Sequence, residues 1–150
     1  MNGMLAFHVS VHARPIDAVL SATPTLLDGQ QVKTLALSAE QLATPFAVSF
    51  EQAGEALSKL PRLFFEPDGS FVWVSARGEE AWQVDGNLFD RAGRLQFVDL
   101  KGRCPTAEFD RLLGAFGWPQ TEVMFQVVRA AVFLDETEFR RAAAEKLPSE

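Results

Sequence analysis

Two alternating runs joined by a short turn constrain this chain more than anything else in it. Residues 82–102 read WQVDGNLFDRAGRLQFVDLKG. Asp suits the first position of a type I turn, and Gly93 can take the left-handed conformation that follows, so Asp90-Arg91-Ala92-Gly93 carries the reversal. The spacing predicts a three-residue loop with a bulge at Gly93, which pairs Asp90 with Arg94. One face then holds Trp82, Val84 and Leu88 opposite Gly102, Leu100 and Gln96. The other sets Asp85 directly across from Asp99, with Lys101 two residues along. A slip of one residue would bring Val84 opposite Asp99, and register follows the apolar face. Opposed aspartates on a sheet repel, so this pairing calls for water, a cation or a basic side chain between them.

The flanking sequence supplies further elements. Leu5, Phe7, Val9 and Val11 alternate with Ala6, His8, Ser10 and His12, which predicts a strand over 4–12. Residues 13–30 are broken by Pro15, Pro24 and Asp28-Gly29; a short helix could place Ile16, Val19 and Leu20 on one side. Strands are expected over 31–37 and 45–48. Ser38 and Ser49 each precede a Gln at the third helical position, the capping-box pattern. The first starts a single turn and the second a helix over 50–60, which Pro61 stops. Pro67-Asp68-Gly69-Ser70 turns a hairpin between 62 and 75, with Phe64 and Val72 expected in the core. Pro105 opens a helix over 105–116 with Phe109, Leu112, Leu113 and Phe116 on its apolar face. The run 122–134 could form a helix lined by Met124, Val127, Val128 and Ala131, but its four valines and two phenylalanines favour one buried strand. Asp135 caps a last helix over 136–146, and the tail from Leu147 frays. Together these elements make one α+β domain over 1–150: an antiparallel meander of about five to seven strands, with about three helices packed mainly on one face.

A formal charge of −6 weighs against nucleic acid and anionic membrane surfaces as partners. No apolar run reaches the roughly 20 residues of a membrane span, and the opening MNGMLAFHVSVHARP lacks the basic and apolar regions of a signal peptide. The one cysteine, Cys104, excludes a disulfide framework and points to the cytoplasm. Cys104 stands beside Arg103 at a helix start, a setting that lowers a thiol pKa and favours a reactive or binding role. Arg129 interrupts an apolar run and should meet a carboxylate, with Asp85 and Asp99 as candidates, or else bind a ligand. His8 and His12 lie roughly 13 Å apart on a strand, too far for one metal ion. The three tryptophans are expected in the core. P-loop, dinucleotide-binding, nucleophile-elbow and zincin motifs are absent from the sequence.

The order helix 50–60, strands, Asp85, then Asp99-Leu100-Lys101, helix 105–116 and strand 121–134 resembles the PD-(D/E)xK nuclease core over about half the chain. The resemblance implies a metal-dependent phosphodiesterase. Asp85 and Asp99 would hold Mg²⁺, Lys101 would orient the attacking water, and a third acid would come from Glu55, Glu79 or Glu80. The residues themselves favour the other reading, a non-catalytic binding module without a cofactor, assembled as a homodimer or with a protein partner. An exposed apolar patch or a paired strand edge is what that reading requires.

Overall fold

The computed structural model describes residues 3–145. In chain order the elements are β1 (Met4–Ala13), β2 (Val19–Leu20), β3 (Thr25–Leu27), β4 (Gln30–Val32), β5 (Leu35–Ala36), α1 (Ala39–Leu42), α2 (Phe50–Ser58), β6 (Leu63–Phe65), β7 (Ser70–Val74), β8 (Gln83–Arg91), β9 (Arg94–Pro105), α3 (Thr106–Gly114), β10 (Val123–Val127), β11 (Val132–Asp135) and α4 (Glu136–Ala143). Seven strands form one antiparallel sheet in the order β11-β10-β1-β9-β8-β7-β6. The fold is therefore α+β, as the sequence implies. No described helix is long and apolar enough to cross a membrane. The expected fraying tail from Leu147, and the last residue of the helix expected over 136–146, lie outside the described residues.

Local signals set the helix starts. Both capping boxes form: the Ser38 hydroxyl accepts from Gln41 N–H and the Ser49 hydroxyl from Gln52 N–H, while each glutamine side chain returns a bond to the serine N–H. Asp135 accepts from Glu138 N–H and starts α4. Pro105 is the capping residue of α3 and Thr106 its first helical one. Helices α2, α3 and α4 pack on one face of the sheet, over β6–β9, β9–β1 and β1–β11 respectively. Leu57, Phe109, Leu112, Leu113, Phe116 and Phe139 meet Val84, Val98, Leu100, Val9 and Val11 there, all inaccessible or nearly so. Each such side chain contributes roughly 1.5–3 kcal/mol by leaving water. Trp73 and Trp82 meet edge to face at 5.1 Å inside this core, and the Trp73 indole N–H donates to Pro61 C=O at 2.8 Å.

Several expectations are corrected. The run 122–134 is a hairpin, with β10 and β11 joined across residues 128–131 and Ala131 at φ 56°. The stretch 31–37 divides into β4 and β5, which belong to separate two-stranded sheets. Residues 45–48 form no strand; Phe46 N–H bonds Leu95 C=O at 2.9 Å from an irregular segment. Ile16, in a turn, and Val19 and Leu20, on extended chain, are all exposed. In the 62–75 hairpin the faces are exchanged: Leu63, Phe71 and Trp73 are buried while Phe64 is 64% exposed. Both arms, Leu63–Phe65 and Phe71–Val74, are apolar without a break, so period two alone cannot choose the buried side.

Candidate functional site

The β8–β9 hairpin closes through a two-residue turn. Ala92 (φ 53°) and Gly93 (φ 83°) are both left-handed, and Arg91 pairs with Arg94. This is the type I′ geometry, whose twist matches that of the strands. Asp90 caps it by accepting from Gly93 N–H at 3.0 Å. Phe89 then pairs with Phe97 and Asp90 with Leu95, so Gln96 is an extra, bulged residue. The net shift is two residues from the expected register. Up to the bulge the faces are preserved, but partners change: Asp85 faces Lys101, Asp99 faces Asn87, and Leu88 faces Val98. Beyond it Leu95, expected beside Phe89, turns into the core. The expected opposition of Asp85 and Asp99 does not exist. Opposite charges now stand across the ladder, which removes the repulsion that asked for a cation.

The face turned away from the three helices carries these polar residues. One cross-strand row runs Val72, Asp85, Lys101, His8; the next runs Ser70, Asn87, Asp99, Ser10, Gln126. A shallow depression of about 200 Å³ lies between His8, Asp85, Asn87, Asp99 and Lys101. Burial pushes the Asp99 carboxyl above its ordinary range, and the nearby His8 draws it the other way. Asp85 accepts from the Gln83 side-chain N–H at 3.0 Å. The third acid expected here is not supplied. Glu55 is on α2, Glu79 accepts from Ala76 N–H, and Glu80 pairs with Arg103 at 3.0 Å. Among the described residues no three His, Cys, Asp or Glu side chains converge as a metal site.

An aromatic row follows on the same face. Phe89 stacks on Phe97 at 4.6 Å, Phe97 on His12 at 5.4 Å, and His12 meets the edge of Phe133 at 5.1 Å. Burial holds the His12 ring neutral, with its pKa lowered to about 4; its Nε2 lies 2.9 Å from the Ser10 hydroxyl. Chain from the 13–38 segment covers the β10–β11 end of this face, where Ala18, Leu35 and Met124 cluster with Leu37 and Phe133. The β6–β9 part is left bare.

The other two candidates sit elsewhere. Cys104 is fully buried at the end of β9, and burial first, then Glu108, pushes its thiol up to about 12. The lowered pKa expected beside Arg103 is absent because strand alternation turns Arg103 to the opposite face, where it binds Glu145 and Glu80. Arg129 lies in the β10–β11 turn, exposed, and pairs with Asp28, not with Asp85 or Asp99.

Sequence reasoning missed an open groove of about 720 Å³ between α2 and the edge strand β6. Phe50, Gly54 and Phe65 form its floor, and Glu51, Glu55 and Lys59 line the helix side. The signal was present as charges four apart along α2, which place three ionic side chains on one helical face.

Comparison with protein-family models, with curated proteins and with solved structures finds no match for this chain.

Proposed function

We propose that this chain is a non-catalytic interaction module that pairs with a second copy of itself through the bare face of its sheet. The observation that carries this reading is the adjacency of two rows on that face. Phe89 and Phe97 form an aromatic strip, with Phe89 37% exposed, and beside it Asp85 and Lys101 stand across from each other on β8 and β9. A face that holds both signs next to an apolar strip is complementary to itself. A two-fold axis lying in the interface, parallel to the strands and between β8 and β9, sets Lys101 of one copy against Asp85 of the other and brings the phenylalanines together. Neither Asp85 nor Lys101 is engaged in any ion pair among the described residues. Face-to-face sheet packing about 10 Å apart accommodates such side chains.

Sedimentation equilibrium over a range of concentrations tests it. The wild type is expected at twice the chain mass and Phe89→Glu at the chain mass. A wild type that stays monomeric at the highest concentration sinks the reading.

A further inference from the structure

The groove beside α2 borders a strand whose outer edge is unpaired. Val74 N–H donates to Arg62 C=O at 3.3 Å, and Glu66 N–H to Ser70 C=O at 2.8 Å. Hydrogen-bonded pairs alternate along an antiparallel ladder, so Phe64 also turns its backbone toward β7, opposite Val72. Leu63 and Phe65 turn theirs outward. Leu63 N–H is used by Leu60 C=O at 3.3 Å. The C=O of Leu63 and both the N–H and C=O of Phe65 have no partner among the described residues.

The Phe65 side chain lies toward α2, against Gly54; a Cβ on Gly54 would stand 2.8 Å from its ring. The groove floor is thus a phenylalanine ring seated on a helix that comes close because it carries glycine there. A residue placed opposite Phe65 on an added antiparallel strand would exchange both backbone bonds with it and point its side chain to the same face, into the groove. The rim selects charge. Glu51 and Glu55 line the groove with Lys59 as the single cation, and Glu66 follows directly on β6.

We infer that the groove between α2 and β6 binds an extended segment of another protein as an added strand, with an apolar side chain over Phe65 and Gly54 and basic side chains toward Glu51 and Glu55. A second copy of this chain is disfavoured at this edge, because pairing β6 with β6 would bring two acidic α2 rims together. The inference stands apart from the bare-face dimer, since it uses the sheet's outer edge and the helix-covered side.

The test uses a blocked peptide, acetyl-Lys-Thr-Leu-Thr-Lys-amide, with two relatives: one with Glu for both lysines, and one N-methylated at leucine, whose N–H would meet Phe65 C=O. Binding is followed by amide NMR of the full chain and by fluorescence anisotropy. The lysine peptide is expected to shift the Phe65 and Gly54 amides. N-methylation should weaken it by about tenfold or more, and the double variant E51K/E55K should reverse the preference toward the glutamate peptide. Three results would each overturn the inference: no shift at Phe65, equal binding of the N-methylated peptide, or a charge preference unchanged in the variant. The N-methylation arm stands even if E51K/E55K fails to fold.

Discussion

Asp85 on β8 stands directly across from Lys101 on β9, while Asp99, two residues back, stands across from Asn87. This register is open to direct test in solution. A cross-strand pair of opposite sign contributes roughly 0.2–1 kcal/mol. Lys101→Asp should destabilise the chain by about that much, and adding Asp85→Lys should restore it; the coupling comes from a double-mutant cycle in urea. Asp99→Asn should show no coupling to Asp85. The register with Asp85 facing Asp99 predicts the reverse, a stabilising Asp99→Asn.

Gly102 occupies a position that no other residue can hold. Its φ is 141°, and a Cβ there would lie 2.1 Å from the carbonyl oxygen of Gln83 on the neighbouring strand. Backbone cannot rotate away as a side chain can. Gly102→Ala should cost about 3 kcal/mol or more. Gly93→Ala, at a turn with open space around it, should cost only about 1–2 kcal/mol of left-handed strain. Thermal or chemical denaturation separates the two.

The hairpin shows what alternation can and cannot carry. Leu95, beyond the bulge, changes sides and enters the core. Up to the bulge the faces of β8 and β9 are legible in the sequence, because a two-residue shift leaves those apolar side chains on their own side. The partners are not, because nothing in the composition marks Ala92 as left-handed or Gln96 as a bulge. The hairpin β10–β11 is hidden for a related reason: its turn, Val128-Arg129-Ala130-Ala131, contains none of the residues that usually punctuate one. The expected site suffered most, since Asp85 and Asp99 were joined only through a register. The groove is written partly in α2, but its other wall is β6, and only the folded chain brings Phe65 against Gly54.

His12 makes stability depend on pH. Its unfolded pKa is the ordinary 6.5 and its folded one is lowered to about 4 by burial. The unfolded chain therefore binds more protons than the folded one between these values. The contribution is fully present above pH 6.5 and is lost as pH falls toward 4, a loss of order 2–3 kcal/mol at most. His12→Phe, which keeps an aromatic ring between Phe97 and Phe133, should flatten the difference. Unfolding free energies of the two proteins across that range would show it.

Cys104 should behave as an inert thiol. With its side chain buried and its pKa near 12, almost none of it is thiolate at neutral pH. Iodoacetamide at pH 8 should modify the native chain only as fast as it opens, and the denatured chain at once. Intact mass against time measures both; rapid native labelling would contradict the buried position.

The place of β1 in the sheet has a consequence for how the chain is made. Met4–Ala13 is made well before its neighbours, β9, paired as far as Met4 with Pro105, and β10, paired as far as Val9 with Val127. The meander β6–β9 can assemble from neighbours in sequence. The β9 side of β1 must wait until residue 105 has been made, and its β10 side until residue 127. Until β9 is made β1 is an apolar strand with two open edges, and until β10 is made it keeps one, the form most prone to pair with the wrong chain. Closing so distant a contact is slow, so the nascent protein should depend on a chaperone, or on low concentration, to protect its first strand.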